Sequence, residues 1–557
     1  MLMQNYRSAA FWQSIRDNPA YLPLIEEIRS IYDASAQPEL PSLTFSKRLL
    51  FTTTGDRHTF ERNYFKRRHR LAAATALALL YPEDAALTME TNDLIWAICD
   101  EYSWVSPAHA PFELEKDARI VDLFCAETGS LLAETMAFLG GRLDHRVTMR
   151  AKENILRRVI DVYEHNHMGW EDGTANWTAV CTANIAAALM YLAPERFGEF
   201  RERFLGAMTR FLSGFPEDGA CLEGNIYWNY GFGHFVWFAE HLRQFTDGEI
   251  DLLDDKKVER IAAFAQKTIL MGNTTASFSD CRRPAMISAG LASFLHRRYP
   301  DTVRVLPREC TRVLFSRSGW TYLLRALLYA EPEAMPDQRF ETTYFEGAGQ
   351  YVTTRGGWSL AIKAGHNDEP HNHNDVGSFI LSDATGQLLC DIGAGRYTRQ
   401  YFRGERYDHL VCSSLGHSVP IINGTAQGKG RACAGTMRID GDVITIDYAA
   451  AYPDVQLDAL TRTVTLSDGG IIVTDTFRGE VTSFVERFIS VIPPIPIDGG
   501  VRIGALTLYG DVQVTAEEAE VAVNEPESEG RMETIYKIDI AADPAAGEIT
   551  TKIDIKA

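Results

Sequence analysis

Tyr351-Val-Thr-Thr354, an Arg-Gly-Gly turn, then Trp358-Ser-Leu-Ala-Ile-Lys363 is the stretch whose reading decides the fold. It alternates at period two, is rich in β-branched residues and folds back at two glycines, which predicts a pair of short antiparallel strands. Working forward, Ser378–Leu381, Val443–Tyr448, Leu460–Leu466, Ile471–Thr476, Phe484–Ser490 and Thr534–Ile540 repeat the pattern. Working backward, the alternation stops near residue 335. There apolar residues recur at three- and four-residue steps over Leu71–Tyr81, Ile120–Leu139, Ala151–His165, Asn176–Leu192, Phe232–Arg243, Val258–Met271 and Met286–Arg297. Loops marked by Gly and Pro, such as Ser213–Gly219 and Pro107–Pro111, separate these helices. Helices joined by short loops pack as antiparallel pairs, and a toroid of such hairpins is one solution. The expected fold is therefore α+β and multidomain. Antiparallel helical hairpins, for which an (α/α) toroid is one arrangement, fill residues 1–335 and an antiparallel β-sandwich fills 336–557, with a cleft between them and no parallel sheet in either half.

Composition narrows the function. Of 557 residues, 45% are hydrophobic and 23% charged, a globular balance too apolar for a disordered chain. Acids outnumber bases 75 to 55, giving a net charge of −20, which argues against a nucleic-acid partner. Residues 336–557 carry 18 Lys and Arg against 32 Asp and Glu, with Asp511–Glu533 read as a solvated acidic face. The helical half is then nearly neutral. The longest apolar run, Ile185–Leu192, is far short of the ~20 residues a membrane span needs, so no membrane partner is expected. No secretory signal opens the chain, and nine scattered cysteines without Cys-x-x-Cys spacing read as reduced core thiols. These features predict a cytoplasmic protein, or a periplasmic or secreted one if the true start lies upstream. Oligomeric state is not legible.

Five of the fourteen histidines fall between 366 and 417. In a strand, His371 and His373 of His371-Asn-His373-Asn-Asp375 would share a face. With Asp391 after the next strand and His417 beyond it, imidazoles and a carboxylate are available to converge on one divalent ion, zinc or manganese. An incidental His pair in a polar loop is the plain alternative. The spacing Gly365-x5-His371-x-His373 also opens the cupin metal motif, but Gly377 and Ser378 stand where that motif requires a Glu.

Two motifs mark the helical half. Asn176-Trp177 opens an apolar helix, where Asn176 would serve simply as an N-cap. Glu223-Gly-Asn-Ile-Tyr227-Trp228-Asn229-Tyr230-Gly-Phe-Gly-His234 packs four aromatics, two Asn and three Gly into its last eleven residues. Aromatic faces beside amides suit a sugar groove, and equally an aromatic packing cluster.

Taken together, Asn176-Trp177, the Glu223–Gly231 block, His371–Asp375, Asp391-Ile-Gly-Ala-Gly-Arg-Tyr397-Thr and His417-Ser…Asn423-Gly resemble, in order, the heparinase II/III-type polysaccharide lyases. The resemblance implies a toroid followed by a β-sandwich, and β-elimination of uronic-acid-containing glycosaminoglycans of the hyaluronan, chondroitin sulfate or heparan sulfate type. Alginate or another polyuronate is the alternative substrate. It further implies that Asn176 holds the uronate carboxyl, that Tyr230 is the acid (and the base when proton and leaving group share a face), and that His371 is the base for the other C5 epimer. Trp177, Glu223, Tyr227, Trp228, Asn229, His234, Arg396 and Arg399 become substrate-binding candidates, and His373, Asp391 and His417 the metal ligands. The partner is then an anionic oligo- or polysaccharide.

A polyanionic substrate asks for local positive charge. Arg62, Lys66, Arg67, Arg68 and Arg70 form one set, Arg282 and Arg283 a second, and Arg396, Arg399, Arg403 and Arg406 the preferred third. At physiological salt, screening over ~8 Å lets a basic groove act apart from a distant acidic rim. Two other classes compete. A toroidal glycoside hydrolase would use Asp172 or Asp218 with Glu223, and a non-catalytic sugar-binding protein would keep the toroid without turnover.

Overall fold

The computed structural model describes residues 2–35, 39–110, 119–313, 319–337, 339–522 and 530–556. Pro111 of the expected 107–111 loop and part of the acidic 511–533 stretch lie outside them. Six helices form the inner wall of the toroid: His58–Leu80, Leu123–Leu139, Asn176–Leu192, Gly233–Phe245, Ala289–Arg298 and Gly319–Tyr329. Each buries most of its residues, because it has neighbours on several sides. The circle closes where Gly319–Tyr329 packs against His58–Leu80. Ala85–Cys99, His145–Ile155 and Phe197–Ser213 lie against this wall as partner helices. Asp122 and Ser288 cap two of the inner helices by accepting from Cys125 and Leu291 backbone N–H groups. Inside the circle Arg325 makes a double bond of charge to Glu134, both contacts 2.6 Å and both side chains buried.

Two expectations fail here. The periodicity over Val258–Met271 does not make one helix: it breaks after Ala262 and again after Lys267, and Ile269–Leu270 pairs as a strand with Thr274–Thr275. A parallel pairing also occurs, Ile287–Ser288 with Thr311–Arg312, although it is only two residues long.

Beyond Tyr329 the chain turns to strands, beginning with Thr343–Phe345. Gln350–Arg355 and Trp358–Lys363 pair antiparallel, register Tyr351 opposite Ile362, as the alternation requires. They belong to a five-stranded sheet, accompanied by sheets of four and nine strands, all antiparallel among the described residues. Trp358, Phe379, Ile446, Val464, Phe488 and Ile538, drawn from all three sheets, share one core.

Two buried cations brace the histidine-rich segment from beneath. Lys363 Nζ sits 2.7 Å from Asp375 and 3.1 Å from Glu369, on either side of the His371–His373 turn. Arg462 donates to the carbonyls of Gly377 and Ser418, each at 2.8 Å, while Asp475 and Glu486 neutralise it at 2.6 Å. Losing either cation would leave buried carboxylates unpaired, a cost of about 3–5 kcal/mol.

Candidate active site where toroid meets strands

Three loops stack at the junction, and glycines allow it. Gly224 has φ +81 and lies so close to Cys281 that a Cβ would meet its Sγ at 2.6 Å. Gly393, φ +83, approaches the Cys281 carbonyl equally closely. Glu223, Asp280 and Asp391, each adjacent or nearly so to one of these positions, are thereby brought into one region.

Asn176 is not an N-cap. Ala175 holds that position, and the Asn176 side chain instead donates to Glu223 Oε2 at 2.7 Å while its backbone N–H reaches Oε1 at 3.3 Å. Glu223 Oε2 in turn lies 3.6 Å from His371 Nε2. The Tyr230 turn packs on the same helix start: at Gly231 a Cβ would stand 3.1 Å from that of Asn176. That turn is π-helical, Trp228–Phe232, and follows a single α-turn over Asn225–Tyr227. Such an expanded turn is a frequent mark of functional sites. The Tyr230 ring lies edge-on to His234, 5.4 Å away. Tyr227 stacks on His371 at 3.9 Å and bonds Tyr397 through the two hydroxyls at 2.5 Å.

The His-x-His segment is not a strand. It is a turn, with His371 at φ +58, and the two imidazoles converge because both reach Asp280. A turn replaces the strand because Glu369 and Asp375 must both face Lys363 below. Asp280 accepts from His371 Nδ1 at 2.9 Å, His373 Nε2 at 3.0 Å, Tyr397 at 3.0 Å, Tyr401 at 2.5 Å and Arg406 at 3.0 Å. Burial alone would raise its carboxyl, but Arg406 and the imidazoles hold it well below the usual carboxylate range. Sequence reasoning missed Asp280. It stands in a loop with no periodic pattern, and Ser279-Asp280-Cys281 carries no motif.

The proposed ion ligands come together. One donor atom each from His373, Asp391 and His417 lies within 4.8 Å of the others. All three residues are buried; His373 Nδ1 has no hydrogen-bond partner, while Asp391 Oδ2 and His417 Nδ1 lie 3.2 Å from each other. The far nitrogens are occupied: His373 Nε2 meets Asp280, and His417 Nε2 meets the Val411 carbonyl at 3.1 Å. Two imidazole lone pairs and a carboxylate oxygen therefore face a common point, a donor set that fits zinc or manganese. Asp280, His373 and Cys412 form a second compact group.

Other substrate-binding candidates are placed differently. Trp228 is core, 1% exposed, with its Nε1 donating to Ile261 O at 2.7 Å. Asn229 is equally buried and spends its amide on the Asn225 and Met286 carbonyls and the Ser288 N–H. His234 is buried, bonds the Tyr230 carbonyl at 2.8 Å, and is pushed down to about 4 by burial. These three are buried and tie elements together. Trp177 is half-buried against His109, ring centroids 4.6 Å apart.

The basic sets are largely neutralised. Arg67 and Arg68 pair with Glu101, Arg70 with Glu90, and Arg406 with Asp280. Arg396 meets Glu520 at 3.2 Å, and Arg399 donates to Thr52 O at 2.8 Å. Arg283 and Arg531 share Glu533 beside a cavity of about 670 Å³ behind Cys281. Of the hydrolase candidates, Asp172 pairs with His167, and Asp218 accepts from Gly347 N at 2.8 Å.

No helix among the described residues is long and apolar enough to cross a membrane. No curated protein matches the sequence. Residues 337–537 match the family described as Heparinase II/III-like, C-terminal. Solved structures share the fold over nearly the whole chain. A heparinase III superposes with TM-score 0.60 at 11% identity, covering 96% of this chain and 91% of that one. A heparan sulfate lyase from Pedobacter heparinus gives 0.54 at 13%, covering 99% and 86%. A chondroitin AC lyase from Streptomyces coelicolor A3 gives 0.52 at 12%, covering 98% and 82%. Residues 337–537 thus resemble the C-terminal region of the heparinase II/III-like proteins, and over its length the chain has the toroid-and-strand fold of these structures.

Proposed function

We propose that the protein is a polysaccharide lyase that cleaves uronic-acid-containing glycosaminoglycans by β-elimination. The observation that carries this reading is the line Asn176–Glu223–His371, with the Tyr230 turn packed on Asn176. Elimination needs three services: neutralisation of the uronate carboxyl, removal of the C5 proton, and protonation of O4 as the C4–O4 bond breaks. Asn176, its amide anchored by Glu223, offers the first. His371, whose Nδ1 is committed to Asp280, presents Nε2 toward Glu223 and is suited to the second. Tyr230 delivers the third, and also takes the proton when both groups lie on one face of the sugar. Glu223 thus acts on Asn176 rather than on the sugar directly.

A divalent ion, zinc or manganese, would be held by His373, Asp391 and His417. Bound there it would clamp the segments that carry these residues and place positive charge behind His371. A hydrolase reading draws less support, since the contacts of Glu223 go to Asn176 and His371 rather than to a second groove carboxylate.

The test is a panel of hyaluronan, chondroitin sulfate, heparan sulfate and alginate, followed by ultraviolet absorbance of the new C4=C5 double bond. Absorbance with a glycosaminoglycan is the expected result. Absorbance with alginate alone would move the substrate class, and new reducing ends without absorbance would mean a hydrolase.

A further inference from the structure

Asp280 is buried, belongs to the helical half, and takes no part in the elimination steps above. Its Oδ1 accepts from His373 Nε2, Tyr401 and Arg406, and its Oδ2 from His371 Nδ1 and Tyr397. An ionised carboxylate only accepts, so every one of these neighbours must donate. His371 therefore carries a proton on Nδ1, which leaves Nε2, 3.6 Å from Glu223 Oε2, as the nitrogen that can exchange one. His373 carries its proton on Nε2 and bares Nδ1, the atom left without a partner beside Asp391 and His417.

We propose that Asp280 is a positioning residue that fixes, with its two oxygens, the tautomer and orientation of both His371, the base, and His373, the metal ligand. Its own second contacts support this. Tyr397 gives its single proton to Asp280, so Tyr227 must donate to Tyr397; the Tyr227 ring then stacks on His371 at 3.9 Å with planes 15° apart. The backbone supports it as well. Ser279 at φ +63 and His371 at φ +58 are both non-glycine residues in the left-handed region, one on each side of the Asp280–His371 contact. Such conformations are unfavourable by themselves and persist where surrounding contacts impose them.

The competing role for Asp280, ligation of an ion with His373 and Cys412, asks more of the structure. An ion there would have to displace the Arg406 and Tyr401 donors.

The His371 arm rests on the lyase reading and the His373 arm does not, so the experiment reads them separately. Zinc affinity of the full chain is measured by chelator competition for the parent and Asp280→Asn. kcat and KM are measured at saturating zinc on the best substrate of the panel. The amide is neutral and must turn an N–H toward one imidazole while its single oxygen serves the donors on the other side, so it anchors neither imidazole as the carboxylate does, and zinc affinity falls about 10- to 100-fold. kcat falls about 1,000- to 10,000-fold, as when an orienting carboxylate becomes an amide beside a catalytic histidine, with KM little changed. Asp280→Asn combined with Arg406→Gln removes the buried charge with its partner, and should show both losses even if the single variant melts early. A folded variant that binds zinc as tightly as the parent overturns the His373 arm, and one that keeps kcat within about tenfold overturns the His371 arm. Were the parent to cleave no panel member, the lyase reading would fail while the zinc measurement still decided the His373 arm.

Discussion

Two groups of wholly or partly buried histidines in this chain differ in what their nitrogens do. His234 and His241 lie within the toroid. His234 bonds the Tyr230 carbonyl, and His241 sits among Arg325 at 3.2 Å, Tyr191 at 3.4 Å and Glu134 at 3.5 Å. Burial pushes both down, His234 to about 4 and His241 to about 3, so they act as neutral packing groups with polar edges. His371, His373 and His417 lie at the junction, and each has one nitrogen engaged, by Asp280 or by a backbone carbonyl, in a way that turns the other toward a specified place. Burial does not separate a ligand from a packing residue. What the second nitrogen faces does: His373 and His417 each offer one within 4.8 Å of an Asp391 oxygen, whereas His234 Nε2, which also lacks a hydrogen-bond partner, lies 3.8 Å from Glu127.

The sharpest test of the contrast lies in the motif that joins the two groups, since Tyr230 touches His234 and Tyr227 touches His371. Tyr230→Phe should cut turnover by about 10,000-fold or more, at or beyond the top of the general acid–base range. Tyr227→Phe should cost much less, because its hydroxyl serves Tyr397. Turnover abolished by Tyr227→Phe but kept above a tenth by Tyr230→Phe would exchange their roles. If neither substitution mattered, the elimination mechanism itself would be wrong.

The next test sets one group directly against the other. His373→Ala should lose the divalent ion on elemental analysis, and stability with it, since binding free energy adds to folding free energy. His241→Ala should keep the ion while losing about 1–3 kcal/mol through the donors it leaves unpaired. An ion retained at full occupancy by His373→Ala would mean that the ligands are misassigned.

The smallest effect concerns pH. A histidine whose folded pKa is depressed binds its proton more readily in the unfolded chain. Its contribution is therefore complete above ~6.5 and is lost as the pH falls toward the folded value, by at most about 1.4 kcal/mol per pH unit for each residue. With His234 at about 4 and His241 at about 3, the melting temperature should fall between pH 6.5 and 5. Replacing His241 with Gln should flatten that slope. A slope that is unchanged in the variant would show that His241 takes up its proton without unfolding.

The amino-acid sequence by itself determined the two architectures and picked out a cluster of candidate ion ligands. Period two against three- and four-residue steps is a local property, and it separates strands from helices wherever one face is buried. Trp358–Lys363, Phe484–Ser490 and Asn176–Leu192 form with the bounds that the pattern predicts. His373, Asp391 and His417 were legible because ligand types cluster within a short span, and the structure brings them together. Only the tertiary structure decided which polar residues work outward and which work inward. Trp228 and Asn229 carry the residue types of a sugar groove, yet neighbouring helices cover them. The opposite holds for Asn176, a capping residue type whose side chain is drawn away by Glu223, 47 positions later. Asp280 shows the limit most plainly. Its partners lie 91 to 126 residues along the chain, so its role exists only once a loop of the toroid meets the strand half. Periodicity and spacing report nearest-neighbour physics, whereas the tautomers of His371 and His373 are set by a carboxylate that no local pattern connects to them.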